Sequence, residues 1–371
     1  MINIGIIGCG KIADQHATEI QRIKGSKIVG VCDKEELMAK QMSERFNVEH
    51  YFSDVKKMLE VVQPDVVHIT TPPHSHFELG KYCMEAGAHV YIEKPFTLNA
   101  SEAEILIKIA INHNRKLTVG HNAQFTHAAM RMRELIKKGF LGGEPIHMES
   151  YYCYNLSDPA YAKALLGDHN HWVRKLPGKL LHNIISHGIS KIAEFLTCDH
   201  PTVIAYGFPS QVLKSINETD IIDELRVIIH DNDSTTAYFT FSSQMRPVLH
   251  QFRIYGPVNA LIVDDDHQTV IKLKGEKYKS YLDQFMPSAI LARQYMANSM
   301  HNINKFLKMD FHMNSGMKYL IESFYDCITN NTPVPISYKE IMLTTNIMDK
   351  IFIQINSNQS VRCNIQDENE C

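Results

Sequence analysis

The chain has 371 residues, 44% hydrophobic and 21% charged, an ordinary globular composition that excludes a disordered or fibrous protein. That length suggests two or three domains and buries roughly three quarters of the unfolded surface, so no disulfide or metal staple is required. Lys and Arg number 38 against 41 Asp and Glu, and without a basic excess neither nucleic-acid nor polybasic membrane binding is expected.

Eight cysteines are scattered without a CxxC pair, and Cys9 and Cys32 lie in apolar runs, so reduced thiols of a cytoplasmic protein are expected. The opening MINIGIIGCG has no basic leader and runs straight into a strand, which argues against a signal peptide. No stretch approaches the roughly 18 apolar residues of a spanning helix.

In the first third, short β-branched runs alternate with helical ones. Strands are expected at 2–8, 27–32, 66–70, 89–92 and 117–119, with helices at 11–24, 35–46, 54–62, 76–86 and 101–112. The last of these opens with Ser101-x-x-Glu104, a capping box. Repeated β-α-β units with apolar strands mean a parallel sheet covered on both faces. After Gly120 the rhythm changes. A helix at 128–138 stops at Gly139, a strand at 144–154 alternates, and a loop rich in His, Asp and Pro runs to Pro177. A helix spans Leu180–Leu196, hairpins fill Asp223–Leu273 with a turn at Asp231-Asn232-Asp233, and two helices follow at 316–329 and 339–356. The fold class expected is α/β: a dinucleotide-binding domain over 1–122 and a second domain over 123–371 with a mainly antiparallel sheet.

Four motifs carry chemistry. Gly8-Cys9-Gly10-Lys11-Ile12-Ala13 is a GxGxxA between the first strand and helix. Gly8 permits the turn, Gly10 lets the backbone approach a pyrophosphate, and the phosphates lie at the helix N-terminus over Lys11 and Ile12. Asp33, about 20 residues beyond Ala13, is placed to accept from the ribose hydroxyls and repel a 2′-phosphate, which favours NAD over NADP; Lys34 next to it blurs that preference. The loop Thr70–His76 after the third expected strand flanks the same cofactor through Thr71, Pro72 and His76. Two histidines there without a third and fourth ligand at usual spacing do not predict a metal. Glu93-Lys94-Pro95 follows the next strand, and ligands of an open parallel sheet bind beyond such strand ends. A lysine near a cationic nicotinamide has its pKa depressed and exchanges protons readily.

In the second part, the helix Leu180–Leu196 carries Asn183 and His187 four apart and hence on one face. His187 is suited to take a hydroxyl proton; the plainer alternative is a core histidine with its partners satisfied. Substrate-side candidates from the neighbouring strand and loop are Tyr152, Tyr154, Asn170, His171, Trp172 and Arg174, the last as a clamp for a phosphate or carboxylate.

Taken together these stretches resemble the Gfo/Idh/MocA family: GCGKIA at 8–13, TTPPHSH at 70–76, AGAHVYIEKPFTLNASEA at 86–103, GHNAQF at 120–125, KLLHNIISHGIS at 179–190 and SYKE at 337–340. The resemblance implies an N-terminal Rossmann domain and a C-terminal α/β domain whose open sheet forms subunit contacts, so a homodimer or homotetramer. It implies that Lys94 contacts the substrate hydroxyl. It also places the family's D-x-x-x-H pair on Asn183 and His187, an amide standing where the family has an acid. Asn183 orients but carries no proton, which leaves His187 and Lys94 to move it. Gln124 stands where members often have Arg. The expected activity is NAD-dependent hydride transfer to or from a secondary alcohol of a sugar, nucleotide sugar or cyclitol. A redox-assisted NAD-dependent glycosidase, a non-catalytic NAD-binding regulator and a structural oligomer with a vestigial site stay open beside it.

Overall fold

In a computed structural model, residues 1–231, 235–275, 278–312 and 314–369 are described, with side chains up to residue 357. The expected turn at Asp231-Asn232-Asp233 lies outside these residues apart from Asp231. The chain forms two compact units, Met1–Phe125 with Asn314–Thr345, and Thr126–Met313 with Asn346–Cys371. Sequence reading placed a single cut near residue 122 and did not foresee the return of residues 314–345 to the first unit.

The first unit runs β1 (Ile2–Ile7), α1 (Lys11–Gln21), β2 (Ser26–Cys32), α2 (Glu36–Phe46), β3 (His50–Phe52), α3 (Val55–Val62), β4 (Val66–Ile69), α4 (His76–Glu85), β5 (His89–Ile92), α5 (Ala100–Asn112) and β6 (Leu117–Val119). All neighbouring strands are parallel, in the order β3-β2-β1-β4-β5-β6. This is the doubly wound arrangement, with its reversal of strand order between β1 and β4. Every residue of β4 is buried, which is why its sequence, VVHI, does not alternate. Sequence patterning missed β3, a three-residue edge strand. The capping of α5 also differs from expectation. Asn99 accepts from the Glu102 amide at 2.9 Å, and the Glu102 carboxylate accepts from Leu98 N–H at 3.1 Å. Asn caps as well as Ser, and its Glu lies at the matching offset, while Glu104 pairs instead with Lys108 one turn on.

The second unit continues with α6 (His127–Lys137), β7 (His147–Tyr152), α7 (Pro159–Leu166), α8 (Lys179–Ile184), α9 (Ser186–Ala193), β8 (Thr202–Phe208), α10 (Gln211–Ser215), β9 (Glu224–His230), β10 (Thr236–Ser242), β11 (His250–Tyr255), β12 (Asn259–Asp264), β13 (Thr269–Lys274) and α11 (Leu282–Leu307). Its seven strands lie in the order β13-β12-β11-β7-β10-β9-β8, antiparallel except for the β7–β10 pair. Strands β8, β9 and β10 alternate between buried and exposed residues, so one face is core and the other is open. Helix α9 seats on the core face: the Ser150 hydroxyl donates to Gly188 O at 2.9 Å, and a Cβ at position 188 would come within 2.3 Å of the Phe239 ring. Two helices close the chain, α12 (Ser315–Thr329) in the first unit and α13 (Tyr338–Asn369), which starts there and continues into the second.

Two expectations are corrected here. The single helix Leu180–Leu196 is two, α8 and α9, which meet at Ile185; Gly188 N–H bonds to Ile185 O, the tighter three-residue spacing. Asn183 and His187 therefore stand on either side of a joint. Helix α11 was not foreseen at all. Of its 26 residues only Asn298 is buried, so there is no inward apolar stripe to detect. It docks on the outer edge of β13 through amides. Asn298 bonds Val270 N–H and O at 3.0 Å each, and Gln294 bonds Lys272 N–H at 2.8 Å and O at 3.0 Å. Those side chains complete backbone groups that an edge strand otherwise leaves open. No helix among the described residues is long and apolar enough to cross a membrane.

The close seat of α9 gives a first prediction. Gly188→Val should lower stability by about 1–3 kcal/mol, read as a lower urea midpoint at unchanged slope, because the added side chain collides with Phe239. An unshifted midpoint would show that α9 is not held as described.

Candidate functional site

The first unit gathers its polar residues at the C-terminal ends of β1, β2, β4 and β5. After β1 the chain turns at Gly8, whose φ of +94° suits glycine, and a Cβ there would sit 2.8 Å from Thr71 N. Gly10 is the N-cap of α1, no side chain caps that helix, and a Cβ on Gly10 would meet nothing within 4 Å. The helix thus presents the N–H groups of the exposed Lys11 and the half-buried Ile12, while Ala13 N–H bonds back to Gly10 O at 3.0 Å. At the end of β2, Asp33 Oδ2 accepts from Cys9 N–H at 2.7 Å and Oδ1 from Glu35 N–H at 3.0 Å. The partly exposed carboxylate is fixed beside the glycine turn with lone pairs to spare. An uncapped helix N-terminus, open space above it and an oriented carboxylate fit a dinucleotide with free ribose hydroxyls.

The loops after β4 and β5 are tied to this turn. Thr70 Oγ1 lies 2.7 Å from Gly8 O and 3.0 Å from Ile7 O. The ring of His76 is fully buried, with Nε2 2.8 Å from Thr71 O and Nδ1 2.9 Å from Pro95 O. Sequence reading assigned His76 to the cofactor. The structure seats the ring between the Pro95 and Thr71 carbonyls, and the single N–H of the neutral imidazole, favoured by burial, donates to one of them, so its part is to pack the Thr71–Pro72 loop against the Lys94–Pro95 turn, whose peptide is cis. Thr71 and Pro72 remain at the surface of the loop. The half-buried Lys94 has its pKa lowered by burial, an effect that the Glu93 carboxylate opposes.

Glu93 heads a chain of buried groups that sequence reading missed. Its Oε1 is 2.8 Å from His16 Nε2, His16 Nδ1 is 2.8 Å from His68 Nδ1, and His68 Nε2 is 2.8 Å from the Tyr325 hydroxyl on α12. The rings of His68 and Tyr91 stack at 4.7 Å. Burial raises the Glu93 pKa, but the hydrogen bond and charge of His16, with Lys94, turn the balance to a net lowering. Burial and the neighbouring His16 hold His68 well below the ordinary histidine value. Gly120 leaves room for the carboxylate, since a Cβ there would lie 2.7 Å from Glu93 Oε1. The signal was present in the sequence: His16 falls between Ala13, Ala17 and Ile20 on the buried stripe of α1, and His68 interrupts an apolar strand. Gln124, the other departure from the family pattern, is buried and donates to Glu340 at 3.2 Å.

In the second unit, the His187 ring stacks on Tyr152 of β7 at 5.0 Å, and Tyr152 in turn packs on His250 at 4.5 Å. Asn183 is half-buried on α8. The Tyr154 hydroxyl lies 3.0 Å from that of Tyr161, and Trp172, half-buried, tilts against His171 at 5.6 Å. Arg174 overturns its assignment as a substrate clamp. Its guanidinium bonds Leu166 O at 2.5 Å and pairs with Glu218 at 2.6 Å, with only 7% of the side chain exposed. A cation so neutralised ties the end of α7 to Glu218 and is not offered to an anion.

Residues 2–121 match the family model GFO_IDH_MocA, described as an oxidoreductase family with an NAD-binding Rossmann fold. The UDP-N-acetylglucosamine 3-dehydrogenase of Acidithiobacillus ferrooxidans is 34% identical over 146 residues, 39% of this chain and 44% of that protein. A myo-inositol 2-dehydrogenase of Thermotoga maritima is 28% identical over 141 residues, 38% of this chain and 42% of that protein. The match thus spans less than half of either relative. Over the whole fold, the solved structure of the Acidithiobacillus enzyme superposes with a TM-score of 0.72 at 22% identity, covering 96% of this chain and 98% of that one. The WlbA dehydrogenase of Bordetella pertussis, in complex with NADH and UDP-GlcNAcA, gives 0.76 at 15% identity and 96% coverage of both chains.

The buried imidazoles make stability depend on pH. Burial and the Lys94 charge lower His121 to about 4, against the opposing Glu93 carboxylate; burial, Arg115 and Lys116 lower His89 to about 4 as well. Their neutral forms contribute stability fully above the unfolded value of 6.5, and this is lost as pH falls towards 4. For His121 the loss is on the order of 3 kcal/mol. Denaturation free energy should therefore fall between pH 7 and pH 5, and less steeply in His121→Gln; parallel slopes for the two proteins would refute the assignment.

Proposed function

We propose that this protein is an NAD-dependent dehydrogenase acting on a secondary alcohol of a sugar, nucleotide sugar or cyclitol, a reading supported by the match of residues 2–121 to the NAD-binding Rossmann-fold oxidoreductase family model. The observation that carries the reading is the uncapped, open N-terminus of α1 beside Asp33, at the same strand ends as Lys94. The names of the relatives, an inositol and a UDP-sugar dehydrogenase, support the substrate class.

When bound, NAD supplies the hydride acceptor or donor. The chain's own residues do the rest. Gly8, Gly10, Lys11 and Ile12 present backbone to the pyrophosphate, and Asp33 accepts from the ribose hydroxyls, which favours NAD over NADP. Thr71, Pro72 and Glu93 shape the nicotinamide end, with His76 as the brace beneath them. Lys94 contacts the substrate hydroxyl, and its lowered pKa lets it accept a proton below the usual lysine range. In the second unit we assign proton transfer also to His187, orientation to Asn183, and substrate contact to Tyr154 and Trp172. A homodimer or homotetramer is the assembly we propose.

Absorbance at the NADH band, followed over a panel of sugars, nucleotide sugars and cyclitols, tests the reading. Reduction of NAD by one class supports it, whereas silence across the panel with NAD still bound overturns it. Lys94→Ala should lower turnover by at least about 100-fold with NAD binding retained. The wild-type oxidation rate should rise with pH through an apparent pKa below that of free lysine, because the neutral amine is the acceptor. Asp33→Ala should weaken NAD and narrow its advantage over NADP; an unaltered preference in binding titrations would remove Asp33 from the cofactor site.

A further inference from the structure

Helix α1 carries two features on one rigid element. Its first turn opens beside Gly10, and about 9 Å further along the axis it carries His16. The His16 ring is fully buried and packs edge-on against His68 at 5.0 Å and Tyr91 at 5.1 Å. Its Nε2 lies 2.8 Å from Glu93 Oε1, while Glu93 Oε2 accepts from the Lys94 amide at 3.1 Å. On the other side of the ring, His16 Nδ1 meets His68 Nδ1 at 2.8 Å, and the Tyr325 hydroxyl engages His68 in turn. Both ring nitrogens are therefore engaged, and the imidazole is held against the carboxylate from behind.

We infer that His16 is a positioning residue for Lys94: its bond to Oε1 keeps the Glu93 carboxylate ionised and fixed against the turn that carries the lysine. The inference rests on the role proposed above for Lys94, and it adds the residue that decides at what pH Lys94 is free of its proton. Around Glu93 stand Lys94 on the same turn, His16 from α1, Tyr91 from β5, His76 from α4 and His121 beyond β6. Burial holds His76 and His121 low and Tyr91 high, so these three are uncharged near neutral pH and bring Glu93 no compensating charge. Burial also pushes the Glu93 carboxyl towards its neutral acid, and the hydrogen bond and charge of His16 oppose this ahead of Lys94. Without the imidazole the balance returns to burial, and the carboxyl takes up a proton. Lys94 then loses the negative charge that offsets its own burial and gives up its proton at a lower pH. One helix would thus seat the pyrophosphate at its open end and set the charge of the proton acceptor from its buried face.

The titration of Lys94 tests this without reference to turnover. The full-length protein is pulse-labelled with a trace of acetic anhydride across a pH series, and the peptide carrying Lys94 is quantified by mass spectrometry. Glu93→Gln and His16→Leu should each move the Lys94 midpoint down by about one pH unit. His16→Asn, whose shorter side chain falls short of Oε1, repeats the removal with a polar residue in case His16→Leu does not fold. His16→Gln keeps an N–H for Glu93 and should stay at the wild-type midpoint. A purely structural His16 would lower the urea midpoint of its variants and leave Lys94 where it was. An unmoved Lys94 in Glu93→Gln or in the variants that remove the His16 donor would overturn the inference, as would a His16→Gln midpoint as low as theirs. If the midpoints move as expected but no alcohol is oxidised, the coupling stands and the dehydrogenase reading falls.

Discussion

A carboxylate taken out of water at the end of β5 sets the terms for the first unit. Glu93 is 4% exposed, and an unpaired buried charge there would cost several kcal/mol. Its partners come from elements far apart in sequence: His16 on α1 and the Lys94 amide on its own turn, with His68 on β4 and Tyr325 on α12 extending the chain. Each link is 2.8 Å long, so an N–H or O–H of one group faces a lone pair of the next along the whole chain, and more than one placement of the protons satisfies it.

The same carboxylate governs Lys94. Burial lowers the pKa of its ammonium, and Glu93 pulls the other way. Both oxygens of Glu93 already have partners, His16 on one and the Lys94 amide on the other, so its position is fixed before any ligand arrives. Prepaid order of this kind is what a proton-transferring group needs if it is to meet substrate in one geometry. His76 performs the matching task from the neighbouring loop, its ring wedged between the Thr71 carbonyl and the Pro95 carbonyl of the turn that carries Lys94.

What the sequence reveals follows from where the driving force lies. The six-stranded sheet was legible, apart from its short edge strand, because buried parallel strands are apolar without interruption and their helices have clear stripes. The glycine turn was legible because the positive φ at Gly8 favours that residue type. The histidine chain was not, since its bonded pairs stand up to 257 residues apart and only tertiary packing brings them together. Arg174 misled because a charged side chain in a polar loop looks available until its partners, Glu218 and Leu166 O, are known. The α8–α9 joint at Ile185 escaped because Leu180–Leu196 keeps an apolar stripe through the break, and apolar spacing does not register one tighter hydrogen bond.

Helix α11 failed the sequence test for a related reason, and that failure is informative. A periodic search assumes that the apolar side of a helix faces its own core. Here the edge of β13 asks for hydrogen bonds, and amide side chains at positions 294 and 298, one turn apart, supply them at the spacing of alternate strand residues, Lys272 and Val270. Satisfying that edge fixes which side of the helix faces inward and leaves the apolar stripe outside. Edge protection and surface exposure are therefore coupled in this unit: the arrangement that closes β13 to unwanted strand pairing also leaves an apolar strip exposed. A helix carrying charges at those outer positions would protect the edge equally well, so edge protection alone does not account for the apolar choice.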